Sequence, residues 1–245
     1  MIDLHCFSGL GNSAAVAAQL QELLPTDFTD SIWVFPVYAW GLPPIVLDEL
    51  KDVDFQGRMV HMVCTCGSET GHIDWQWTKL VKEHNGEVGG MYSVVMPLSY
   101  VFMPFMNTDP QETVDRKLHN AKERVKTIAQ SIAQHRQVID LQLGPFPWFL
   151  SRVLYPWFFK SLMKTKHYHT NSNCIGCGKC AKSCPYGNIT MSNGRPVWGN
   201  KCTWCLRCYH VCPTHSVNYW RFTRTKGQYH HPDFPLPPKS ANNKI

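Results

Sequence analysis

The chain has 245 residues, 44% of them apolar and 17% charged, with a formal charge of +6. That length supports one large or two modest domains, each with a core of its own, and argues against a largely disordered chain. The basic residues read as scattered and no recognition motif accompanies them, which argues against nucleic acid as the partner.

Residues 1–7 lack the basic region, apolar core and cleavage site of a secretory signal. This implies a cytoplasmic protein with reduced thiols. No stretch reaches the roughly 18 uninterrupted apolar residues of a membrane span. The most apolar segment, Gly144 to Met163, carries Arg152, Lys160 and three prolines.

Over the first 140 residues, apolar runs alternate with helical stretches. The pattern predicts strands at Ile2 to Phe7, Ile32 to Val37, Arg58 to Thr65 and Met91 to Met96. Helices are expected at Asn12 to Leu24, Pro43 to Leu50, Ile73 to His84, and Pro110 to about Gln137. Such alternation specifies one α/β domain with a mainly parallel sheet. The charged and apolar residues of Asp115 to Arg136 alternate at helical spacing, as a solvated face over a core would. Residues 143–167 are aromatic and broken by proline, and are expected to pack two domains together, with a membrane surface or a partner as the alternative contact. A second domain spans 168–222. The tail, 223–245, has little to pack and is expected to be irregular.

Eight of the eleven cysteines fall in two runs, "CIGCGKCAKSCP" from Cys174 and "CTWCLRCYHVCP" from Cys202. Cys174 to Thr190 aligns with Cys202 to Asn218 at an offset of 28 residues, cysteine on cysteine and proline on proline. Between them, Asn193-Gly194 suits a hairpin turn with positive φ. Three thiolates spaced by two residues wrap one corner of a four-iron cluster, and in this pattern the fourth cysteine of each run ligates the other cluster. One [4Fe-4S] cluster is then held by Cys174, Cys177, Cys180 and Cys212, and the other by Cys202, Cys205, Cys208 and Cys184. Pro185 and Pro213 stop the backbone from continuing as helix. Gly176 and Gly178 let amides approach the first cluster, while Trp204 and Tyr186 are placed to shield a cluster from water. Two zinc sites or a disulfide knot would also use eight cysteines, but neither needs the doubled spacing. Residues 168–219 resemble bacterial two-cluster ferredoxins, a small α+β fold, with every ligand position of the pattern present.

"CFSGLGNS", Cys6 to Ser13, joins a strand to a helix and suits a phosphate. "FPVYAWGLPP" ends the second strand and "CTCGSETG" the third, so all three loops lie at the carboxyl ends of parallel strands, where open α/β sheets bind ligands. The arrangement resembles flavodoxin. The resemblance implies FMN, with its phosphate held by Ser8, Gly9, Leu10, Gly11, Asn12 and Ser13. It also implies a ring flanked by Pro36, Val37, Tyr38, Ala39, Trp40 and Gly41, and contacted at its pyrimidine end by Thr65, Cys66, Gly67, Ser68 and Gly71. Leu10 stands where flavodoxins carry a hydroxyl. Only four strands are expected here, so the flavodoxin-like sheet should lack the edge strand that would follow the first helix.

Cys6, Cys64 and Cys66 read as small apolar residues of buried strands, with one of the last two able to face a flavin. His167, His169, His230 and His231 read as surface histidines. Residues 1 to about 219 resemble the flavodoxin-ferredoxin fusion family of anaerobic bacteria and archaea, through "FSGLGNS", "FPVYAWGLPP" and the cysteine repeat. The resemblance implies electron transfer between the clusters, FMN and a redox protein or small acceptor. Flavin-dependent reduction of a quinone or nitro compound, or a sensor that has lost its flavin, are the competing readings. Two clusters at roughly −2 each and a flavin phosphate of about −2 would bring the +6 to around zero.

Overall fold

The computed structural model describes residues 2–234. Its first half is a five-stranded parallel sheet in the order β1 (Asp3–Cys6), β2 (Ser31–Pro36), β3 (Met59–Cys66), β4 (Glu87–Val95) and β5 (Ile139–Asp140). Helices α1 (Asn12–Leu23), α2 (Pro44–Leu50), α3 (Ile73–Glu83) and α4 (Gln111–Ala133) connect successive strands. Side chains of a strand point alternately to its two faces, and each face has its own core. Ile32 and Val34 meet α1 and α4 on one face, while Trp33 and Phe35 meet α2 and α3 on the other.

The strand count differs from the expected four. β5 has two residues, too few for any periodicity, and pairs with Met91 and Tyr92 of β4. β1 forms the opposite edge, with no strand outside it among the described residues. β4 starts at Glu87, ahead of the apolar run, because Gly89 and Gly90 are strand residues. A Cβ at Gly89 would fall 2.7 Å from Nδ1 of the buried His61, so glycine is what lets this strand pass.

The second half is smaller. β6 (Tyr168–Thr170) pairs antiparallel with β9 (Val217–Tyr219), closing the cysteine-rich segment at both ends. β7 (Ile189–Ser192) and β8 (Arg195–Trp198) form the expected hairpin, with Asn193 and Gly194 both at positive φ. Between the halves, the helical turns Pro147–Phe149, Leu150–Leu154, Tyr155–Trp157 and Phe158–Leu162 run on as one helix, α5, in a segment expected to be broken by its prolines. Pro147 sits in the first turn, where no donor is needed. Pro156 lies between two wide π-type turns, which relieve the clash a proline makes with the carbonyl four residues back.

Two features tie the halves together. The loop after β4 buries Phe102 in the core of the second domain, stacked 4.6 Å from Tyr219 and edge-on to Tyr168, Trp204 and Tyr209. Residues 220–234 form no helix or strand, yet residues 228–231 are packed. The Gln228 amide donates to the carbonyls of Tyr209 and Cys212, the Tyr229 hydroxyl to Asn12, and the His231 N–H to the Leu10 carbonyl. His231 is buried rather than at the surface, and residues 235–245 lie outside the described residues.

Candidate functional site

The sheet carries its three loops to one end, where they border a cavity of about 440 Å³. Ser8, Gly9, Leu10, Asn12 and Ser13 line it from the first loop. Pro36, Val37, Tyr38, Ala39 and Trp40 line it from the second, and Thr65, Cys66, Gly67 and Ser68 from the third. Tyr38 and Gly41 exchange backbone hydrogen bonds of 2.9 and 3.1 Å, so Ala39 and Trp40 form a tight turn, both at positive φ. That conformation is costly for non-glycine residues. It is held by the Trp40 indole donating to Glu69 at 2.8 Å and by the Ser151 hydroxyl of α5 donating to the Trp40 carbonyl at 2.8 Å.

Gly11, Gly41 and Gly71, expected at the ligand, stand outside the cavity wall, and each makes room for a neighbouring segment instead. A Cβ on Gly11 would meet His231 at 2.6 Å, one on Gly41 the Tyr155 ring at 2.5 Å, and one on Gly71 the Ser151 hydroxyl at 2.5 Å. Gly11 also caps α1 with φ 97°, and its N–H donates to the Ser8 hydroxyl at 3.1 Å. The Ser13 and Thr65 hydroxyls bond each other at 2.8 Å. Cys6, Cys64 and Cys66 are buried, and Cys66 alone of the three reaches the cavity. Burial pushes the thiols of Cys6 and Cys66 up to about 12, so they stay protonated.

The remaining wall comes from elements the sequence left apart. α5 contributes Leu154, Trp157 and Phe158, the loop after β4 contributes Tyr100, Met103 and Phe105, and the second domain contributes Trp204, Cys205 and Leu206. The second domain therefore reaches the same space as the three loops. A Cβ on Gly9 would lie 3.1 Å from the Tyr38 hydroxyl and 3.5 Å from the Cys205 Cβ.

The eight cysteines of the repeat are free thiols and separate into two neighbourhoods. Cys174, Cys177, Cys180 and Cys212 line one small cavity together with Gly176 and Gly178, both at positive φ. Cys208 lies close enough to Cys202, Cys205 and Cys184 for each to raise its pKa, after burial as the larger cause. Burial first, then neighbouring thiols, pushes Cys202 up to about 12. Thiolates in such surroundings need a cationic centre to offset desolvation, and cluster iron supplies one. Among the described residues, no three His, Cys, Asp or Glu side chains converge as a single ion requires. Backbone N–H groups point at the sulfurs, from Ser216 to Cys212 at 3.1 Å, Asn188 to Cys184 at 3.3 Å and Trp204 to Cys202 at 3.4 Å. Burial alone would raise the Cys212 thiol, but N–H donors of Val217 and Ser216 hold it below its ordinary value.

Arg207 escaped the sequence reading. It sits between Cys205 and Cys208 and is 3% exposed. Its guanidinium donates to the Gly9 carbonyl at 2.8 Å, the Ser8 carbonyl at 2.5 Å and the Ser183 carbonyl at 3.2 Å. One buried cation thus joins the first loop, the short helix Arg207–His210 and the residue before Cys184. Tyr186 meets α2 rather than only solvent, its hydroxyl donating to Asp48 at 2.5 Å.

No helix among the described residues is long and apolar enough to cross a membrane. The chain matches no curated protein and no solved structure. Residues 173–217, which contain all eight cysteines of the repeat, match the 4Fe-4S dicluster domain, so this segment is a small iron-sulfur domain of ferredoxin type beside a parallel α/β sheet domain.

Proposed function

We propose that the protein passes electrons between two [4Fe-4S] clusters and an FMN bound in the cavity. In this reading residues 1–142 form a flavodoxin-like domain, 143–167 the crossover, 168–222 the cluster domain and 223–245 the tail, in a cytoplasmic protein. The carrying observation is the contact between Gly9 of the first loop and Cys205 of the repeat, on the wall of one cavity. Cys202, Cys205, Cys208 and Cys184 would hold the cluster that borders the flavin. Cys174, Cys177, Cys180 and Cys212 would hold the outer one, where Cys177 is exposed and open to a redox partner.

The sheet supports the flavodoxin part. Flavodoxin's strand order is 2-1-3-4-5, in which the first crossover runs the opposite way along the sheet from the later ones. Right-handed connections then place the first helix on the face opposite the next two. Removing the outer strand leaves the observed order of β1 to β4, with α1 opposite α2 and α3. The start of α1 carries no acidic residue, which suits a phosphate. The Ser8 and Ser13 hydroxyls already have protein partners and Leu10 offers none, so backbone amides would supply most of the phosphate contacts.

FMN, when bound, exchanges electrons singly or in pairs, whereas each cluster passes one. The chain's part is to hold the two within one wall, exclude water through α5 and Phe102, and place the Arg207 charge between them. A second reading, reduction of a small acceptor such as a quinone or nitro compound, is favoured by the cover that α5 and the loop after β4 place over the cavity. A flavin-free sensor is favoured only by Leu10.

Anaerobic purification and cofactor extraction test the proposal. About eight iron, eight sulfide and one FMN per chain are expected. Iron and sulfide without flavin would overturn it.

A further inference from the structure

The charges that read as scattered are segregated. Of the 18 acidic residues only Asp233 follows Asp140, whereas 14 of the 24 Lys and Arg do. The ion pairs made by Lys and Arg among the described residues all fall before Leu141. From α5 onward no Lys or Arg among the described residues has a carboxylate partner.

α5 has two unlike faces. Its inner face is fixed to the second loop, with Ser151 on the Trp40 carbonyl and the Tyr155 hydroxyl donating to the Leu42 carbonyl at 2.6 Å. Its outer face shows Trp148, Phe149, Arg152, Val153, Trp157 and Lys160 to solvent. Trp148 is 57% exposed and Trp157 52%. Lys164 and Lys166, also exposed, follow directly. The face is continued by Trp75, over whose ring the Arg152 guanidinium lies at 3.5 Å, and by Phe105, which is 88% exposed. Phe105 and Trp157 also line the cavity, so its mouth opens here.

Water would be a poor solvent for this face. Tryptophan and phenylalanine beside lysine and arginine, with no carboxylate among them, are what an anionic bilayer surface takes: rings seat at the headgroup level while cations meet phosphate. We propose that α5 docks the protein on an anionic lipid surface, with the cavity mouth turned towards the bilayer. The proposal rests on surface composition and holds or fails independently of the flavin reading.

Co-sedimentation of the anaerobically purified full chain with vesicles tests it. Binding is expected to vesicles of equal parts phosphatidylglycerol and phosphatidylcholine, at least tenfold stronger than to phosphatidylcholine alone, and to be lost in about 1 M salt, where the Debye length is about 3 Å. Lys160→Glu with Lys164→Glu, and separately Trp148→Ser with Phe149→Ser, should each weaken binding at least tenfold while keeping the cluster absorbance. No preference for anionic vesicles would overturn the proposal. So would unchanged binding by either double variant. A stable dimer in light scattering that Trp148→Ser with Phe149→Ser dissociates would also overturn it, by showing that a second copy covers the face.

Discussion

Arg207 carries a full charge into a buried place with no carboxylate to meet it, and three backbone carbonyls take its protons. Such a cation is tolerated where negative charge lies nearby, and the thiolates on either side of it supply that charge when clusters are loaded. Arg207→Gln is expected to lower stability by about 3 kcal/mol, the upper range for charge-assisted hydrogen bonds, and to lower the potential of the adjoining cluster. Denaturant melts and an anaerobic redox titration read the two effects. An unchanged potential would leave Arg207 a structural tie only. Nothing in "CLRCYH" marks this arginine as buried, because two of its three acceptors, the Ser8 and Gly9 carbonyls, lie 199 and 198 positions earlier in the chain; a basic residue between ligands reads as solvated. Glu49 is the acidic counterpart: one carboxylate oxygen is buried without a partner, and burial pushes its pKa up to about 7 from an ordinary 4.5. The raised folded value means the unfolded chain loses this proton first as pH rises. The side chain therefore costs no stability below about 4.5, an increasing amount between 4.5 and 7, and its full amount above. Glu49→Gln should accordingly be more stable than the parent at about pH 8, with the gain fading towards about pH 5. A gain that does not depend on pH would contradict this assignment.

Elements with a strong period were legible and those without were not. β1 alternates half-buried and buried residues, β2 and β3 are apolar runs between turn signals, and the hairpin at Asn193-Gly194 carries its own signature. β5 is two residues long, β4 hides its start behind glycines, and α5 holds a proline that its wide turns absorb. The contact that matters most between the halves, Phe102 in the aromatic core of the cluster domain, was invisible because nothing local distinguishes "SYVFMPF" from another apolar loop. Phe102→Ala should remove about 3–5 kcal/mol, as for large aromatic side chains deleted from a core. Because Phe102 meets Tyr219 and Trp204, the loss should appear as faster bleaching of the clusters in air as well as a lower unfolding midpoint. A loss under 1 kcal/mol would mean that other contacts, those of Arg207, Tyr186 and the segment after Tyr219 among them, join the halves without it.

At the scale of the molecule, the candidate site was legible in parts that no pattern could assemble. The three loops are marked by composition at strand ends and the repeat by spacing, whereas nothing in the sequence places α5 or the loop after β4 at the cavity. The meeting of loops and repeat depends on the chain's return from Tyr168 to Tyr219, which brings Cys205 beneath Gly9, and on the last described residues crossing back to Leu10. Such long-range placement is set by packing, not by period. The charge separation at Asp140 was countable in the sequence but carries meaning only once α5 shows which cations lie beside exposed tryptophan. The most direct test is an iron anomalous map from crystals of the anaerobically purified protein. The account predicts two cuboidal centres at the two thiol neighbourhoods, with the one at Cys205 bordering FMN density in the cavity. Single metal ions at the thiols, or iron centres with no flavin density beside Cys205, would contradict it.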